Sequence, residues 1–236
     1  MYYGYGYGYG YGMDMSYLIL MVLTMVIGMA AQAYIQKTYA KWSRVPSPGG
    51  YTGAEMARRM LEHEGAGSVG IGHVAGKLTD HYDPRDNNLH LSEENFAGGS
   101  VASIAVACHE AGHAVQTARG YAPGRIRTAI VPVVNLTQQF WSLLFFAGIV
   151  LQHAGLVQAA ILLFGLTVVF HLVTLPVEID ASRRAVNFIS QFGTQLDQQG
   201  SKEVLTAAAM TYVAAALSSI LQLLYLLSRT RGSRRD

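Results

Sequence analysis

Residues 100–118 read Ser-Val-Ala-Ser-Ile-Ala-Val-Ala-Cys-His-Glu-Ala-Gly-His-Ala-Val-Gln-Thr-Ala, a proline-free, alanine-rich run whose composition predicts a helix. Helical spacing puts His109 and His113 on one face, one turn apart, so both imidazoles can reach a single ion. Glu110 stands between them in an H-E-x-x-H pattern, the arrangement of zinc hydrolases. There it can act on a zinc-bound water, whose pKa falls toward about 7, without itself binding the metal. Gly112 costs a helix about 1 kcal/mol relative to alanine, so its presence points to packing or a close substrate approach. The alternative is a solvated helix that carries two histidines and an acid by coincidence.

Outward from this helix the chain is apolar. Of its 236 residues 51% are hydrophobic and 14% charged, against about a quarter charged in ordinary soluble domains. Residues 17–35 form a nearly uncharged stretch of spanning length, and 130–150, 156–175 and 204–227 are three further candidates,. The middle two are joined only by Leu151 to Gly155, which predicts a tight helical hairpin. The last candidate is rich in small residues suited to close helix packing. It is expected either to span or to lie against the catalytic helices.

The reading divides the chain into residues 1–16, a flexible Tyr/Gly-rich tail; 17–35, an anchor; and 36–129, a loop holding the H-E-x-x-H helix. Residues 130–175 form the hairpin, 176–203 a helix carrying a third metal ligand, and 204–236 an apolar helix with a basic tail. Ala31-Gln32-Ala33 has the small residues of a signal-peptidase site, but no basic region precedes it, so an uncleaved anchor is expected. Lys37, Lys41 and Arg44 follow the anchor, Arg125 and Arg127 precede the second span, and Arg183, Arg184 and Lys202 follow the third. Basic residues mark the cytoplasmic side, which places the 36–129 loop there. The arginines from Arg229 onward disagree if the last helix crosses. The lone cysteine, Cys108, excludes an internal disulfide and is expected to be a packed residue.

A zinc hydrolase needs a third protein ligand. In Thr174-Leu-Pro-Val-Glu-Ile-Asp-Ala-Ser-Arg-Arg184 charges resume after the third span, and Pro176 is expected to open a new helical turn with Glu178 near its start,. By position alone Glu178 is equally a ligand or an acid favoured by a helix N-terminus and paired with Arg183 or Arg184. His171, inside a span, is expected to face the bundle and bond a neighbouring helix, with a functional role as the alternative. Residues 55–64 read as an amphipathic helix, and 68–78 and 88–92 as short strands. His73, His81 and His90 are rival ligands on residue type alone.

The segments 78–84, 109–113, 174–184 and 211–214 resemble the YugP-type family of membrane zinc metallopeptidases, over nearly the whole chain outside the Tyr-Gly tail. More distantly, the order of parts resembles HtpX-type membrane proteases. The resemblance implies a mainly α integral membrane protein of about four transmembrane helices, with a cytoplasmic zincin-like, gluzincin-type catalytic part carrying a short β edge strand. It implies one Zn2+ per chain held by His109, His113 and Glu178, with Glu110 as general base. In the E-[FY]-x-A-D pattern Ser182 replaces the final aspartate, so the task of orienting a ligand histidine lies open between Ser182 and Asp180. Leu89, His90, Leu91 and Ser92 are expected to align an extended substrate by strand addition, and Tyr212 is a candidate donor to the oxyanion.

These readings converge on a multi-pass protein of the bacterial inner membrane that hydrolyses peptide bonds of membrane or membrane-associated proteins at its cytoplasmic face. Its partners are the substrate peptide and the bilayer, with a homo-oligomer or a membrane partner protein compatible and no nucleic acid expected. Two alternatives remain. A site-2-type intramembrane protease would need the H-E-x-x-H helix to span, yet Gln116, Arg119 and Arg125 follow it closely. A catalytically silent scaffold would keep zinc for stability alone.

Overall fold

Four helices in the structure, a computed structural model describing residues 15–232, are long and apolar enough to cross a membrane. They are α1 (Met15–Trp42), α5 (Ala122–Val150), α6 (Ala154–Phe192) and α7 (Gln195–Gly232), and α1 and α6 both pack on α7 while α5 pairs with α6. The Tyr-Gly alternation of residues 2–12, expected to be a flexible tail, lies outside the described residues. Between α1 and α5 the chain builds a small layer: α2 (Gly53–His63), strands β1 (Gly70–Val74), β2 (His81–Asp83) and β3 (Asn88–Ser92), the short α3 (Glu93–Phe96), and α4 (Val101–Ala118).

Local chemistry sets the boundaries of these elements. Thr52 and Glu55 form a reciprocal capping box at the start of α2, with Thr52 N donating to Glu55 Oε2 at 2.8 Å and Glu55 N to Thr52 Oγ1 at 3.2 Å,. Ser100 caps α4 by accepting from Ser103 N at 3.0 Å,. Gly193 and Thr194 separate α6 from α7, and Asp197 answers Thr194 across the new N-terminus at 2.9 Å. Gly148 lets the α5–α6 hairpin close, because a β-carbon there would meet Val157 N at 2.8 Å.

The sheet order is β1-β3-β2, with β1 and β3 parallel from Gly70↔Asn88 to Val74↔Ser92 and β2 antiparallel to β3 from His81↔His90 to Asp83↔Asn88. Its buried face, Leu89 and Leu91, joins Met56, Met60 and Leu61 of α2 and Ile104 and Val115 of α4 in one core. α4 lies at its centre. Trp42, Ala185, Ile189, Val204 and Leu205 seal that core from the ends of α1, α6 and α7. Three of the apolar helices therefore also serve this small layer. The 39 residues of α6 make a rod of roughly 58 Å, about twice the 30 Å hydrocarbon thickness.

Two sequence expectations are corrected here. Pro176 opens no new helix: α6 runs through it unbroken, as α5 runs through Pro132. Packing against neighbouring helices holds the backbone where one N–H is missing, as membrane helices commonly allow. Nor is β3 an edge. Leu89, His90, Leu91 and Ser92 are paired with β1 along their length, β2 covers the other side as far as His90, and Ser92 N donates to Asp80 Oδ1 at 2.8 Å. The alternation that marked these residues reflects a buried central strand, and the strand with an open edge beside α4 is β2.

Candidate metal centre

His109, Glu110 and His113 lie on the outer half of α4, where that helix meets α6. The contact is close because position 112 is glycine: a β-carbon there would stand 2.7 Å from the Ala181 carbonyl oxygen and 3.1 Å from its Cα. Glu178 is one turn before Ala181 on α6, so the same crossing delivers its carboxylate to the two imidazoles. His109 Nε2 is 3.3 Å and His113 Nε2 3.5 Å from Glu178 Oε2. Ligand atoms about 2.0–2.1 Å from one tetrahedral ion stand roughly 3.3 Å apart, so the spacing fits zinc. Glu178 Oε2 is buried and has no hydrogen-bond partner, an unfavourable state for a carboxylate oxygen unless a cation meets it. Among the described residues this trio is the one cluster of ligating side chains arranged to hold a metal.

The supporting groups come from four elements, α4, α5, α6 and β2. Ser182 Oγ lies 3.2 Å from His109 Nδ1. Asp180 does not touch a histidine; it reaches one through Gln116, whose Nε2 donates to Asp180 Oδ2 at 3.0 Å and to Val177 O at 2.8 Å, while its Oε1 faces His113 Nδ1 at 3.1 Å. Arg183 and Arg184 donate to Asp180 at 2.7 and 2.6 Å. Arg127, on α5, places Nη2 3.6 Å from Glu178 Oε1, the carboxylate oxygen turned away from the histidines. Glu110 Oε2 accepts from Tyr82 N of β2 at 3.2 Å. Burial raises the Glu110 carboxyl above its ordinary value, with Glu178 and Asp80 adding to the rise and the two histidines opposing it. A raised value suits a group that must take and return a proton near neutral pH.

His109, Glu110, His113 and Glu178 line a cavity of about 460 Å³, bounded by Asp80, His81 and Tyr82 on the sheet side, Tyr121 just before α5, Arg125 and Arg127 on α5, and Tyr212 on α7. Asp80 braces the loop into β2, accepting from Ser92 and from Asn95 Nδ2 at 2.9 Å. The other histidines have separate partners: His73 pairs with Glu93, His90 with Asp86, and His81 stacks on His90 at 4.9 Å. His171 bonds Ser219 of α7 at 3.0 Å, away from the cavity. Cys108 is buried, and burial raises its thiol well above the usual range, with Asp197 adding to the effect.

Sequence reasoning passed over Gln116 and Arg127 as parts of the site. A signal existed for Gln116: an amide inside an alanine-rich helix, three residues after His113, is buried on the histidine's side and must find partners. Arg127 was read only for orientation.

The family model described as "Putative neutral zinc metallopeptidase" matches residues 17–231. The curated protein named "Putative membrane protease YugP", from Bacillus subtilis (strain 168), is 43% identical over 196 residues, covering 82% of this chain and 87% of that protein. No solved structure matches.

Proposed function

This chain belongs to that family of membrane metallopeptidases, and from that premise we propose that it is a zinc-dependent endopeptidase acting on membrane or membrane-associated proteins at the cytoplasmic face. The observation that carries the reading is the unpartnered, buried Glu178 Oε2 between two imidazole nitrogens at 3.3 and 3.5 Å. His109, His113 and Glu178 would hold one zinc, which lowers the pKa of a bound water and polarises the scissile carbonyl.

The remaining tasks fall to the chain itself. β2 offers an open edge on which an extended peptide could add as a strand, which brings its backbone across the face of α4. Glu110 takes the proton of the attacking water and returns it to the leaving amine. Its bond to Tyr82 N holds the carboxylate at the edge where the peptide enters. Tyr212 and Arg127 line the same cavity and supply donors for charge developing on the carbonyl oxygen. α4, with Arg119 just past its end, is not among the four apolar helices, which favours a site at the membrane face over one inside it.

Glu110→Gln in the purified full chain separates enzyme from scaffold. Zinc should remain at one per chain while peptide cleavage falls by at least about 10²-fold, the typical loss with a general base. Cleavage unchanged in a metal-replete variant would sink the mechanism, and a wild type that binds zinc but cleaves nothing would favour the scaffold.

A further inference from the structure

We propose that Gln116 is a positioning residue that fixes neutral His113 in the tautomer with its proton on Nδ1, leaving Nε2 bare and aimed at the metal centre. The inference rests on the reading of His113 as a ligand. A primary amide has one accepting end and one donating end. The donating end of Gln116 meets only acceptors, the Val177 carbonyl at 2.8 Å and Asp180 Oδ2 at 3.0 Å. Asp180 is held as a carboxylate by Arg183 and Arg184. Turned round, the amide would set its oxygen against both of them with no proton between, at a site where Gln116 is 3% exposed and water cannot relieve the conflict.

The amide orientation is therefore settled by partners that have no alternative role. Oε1 faces His113 Nδ1 at 3.1 Å and can only accept, so Nδ1 must carry the proton. A neutral imidazole has one proton, and Nε2 is left with its lone pair free. That is the nitrogen 3.5 Å from Glu178 Oε2. His109 is treated differently. Its Nδ1 meets the Ser182 hydroxyl at 3.2 Å, which can donate or accept, so Ser182 leaves the tautomer of His109 open. One ligand is set in advance and the other adapts.

Nitrogen NMR of the full chain, labelled with 15N-histidine and reconstituted in detergent, tests this without any turnover assay. The metal-free protein is examined at a pH where its imidazoles are neutral, with His113 assigned by comparison with His113→Gln. The expected result is an Nδ1–H signature for His113 in the wild type. A mixture of tautomers is expected in Gln116→Leu. Zinc affinity, read by chelator competition, should fall about 10- to 100-fold in the Leu variant, the usual effect of losing a partner that orients a ligand. An Nε2–H signature in the metal-free wild type overturns the proposal even if no variant folds. So does a Leu variant that keeps both the tautomer and the affinity. Failure of the underlying reading looks different: His113→Ala would then bind zinc as tightly as wild type.

Discussion

A methyl group at position 112 is a severe probe of this site. Gly112→Ala should gain about 1 kcal/mol in helix propensity, yet its β-carbon would stand 2.7 Å from the Ala181 carbonyl oxygen, and overpacking costs about 1–3 kcal/mol. Backbone cannot swing aside as a side chain can, so the cost should win. The expected result is α4 and α6 forced apart, a lower thermal midpoint and zinc well below one per chain by metal analysis. Full zinc with a higher midpoint would show that the crossing is not what sets the ligands. Cys108, one residue before His109, should resist maleimide in the folded chain and react on denaturation, since burial disfavours its thiolate,. At this scale the histidine pair was legible because its geometry is local to one helix turn. Glu178 was not settled by position, since surface acids beside arginines are common, and it needed the family resemblance. The Ser182 and Asp180 question has a divided answer in space: Ser182 contacts His109, and Asp180 touches no histidine but bonds Gln116, which faces His113.

At the scale of elements, α6 and β2 differ most from what their sequences suggested. Local rules for proline place a helix start at Pro176, but tertiary contacts with α4, α5 and α7 carry the helix through. Pro176→Ala should restore one backbone hydrogen bond and raise stability by up to about 3 kcal/mol, with zinc retained. A loss of zinc on that substitution would mean that the site needs the proline's local geometry. The three residues of β2, His81–Asp83, are too few to show alternation, whereas β3 alternates because its leucines fill the core. β1, the other edge, is long enough for its pattern to be read within residues 68–78. Tyr82→Pro should remove the N–H that meets Glu110 and lower cleavage with zinc kept at one per chain. Equal cleavage by the proline variant would show that the bond from Tyr82 N does not position Glu110.

On the scale of the whole molecule, the helices turn a linear sequence into two regions that share parts. The ends of α1, α6 and α7 leave the apolar stretches and close the core around α4, so hydropathy marks the four long apolar helices, whereas the sequence reading puts the end of α1 in the 36–129 loop and makes 176–203 a separate helix. On the proposed orientation, a cysteine placed at Asn87 in a Cys108→Ser background should resist an impermeant thiol reagent in intact cells and react after permeabilisation. Labelling of intact cells would reverse the orientation and leave the site itself untouched. The uninterrupted α6 also limits where a substrate can be cut. Glu178 comes three residues after Leu175 at the end of the apolar stretch, about 4.5 Å further along a helix, and a continuous rod offers no hinge by which that height could change. The protein would act as a ruler set against the lipid boundary, reaching only bonds within one or two extended residues, about 3.3 Å each, of the point where a substrate leaves the bilayer. Substrates with spacers of increasing length after their membrane segment should be cut at a constant distance from the membrane, whatever residues the spacer brings there.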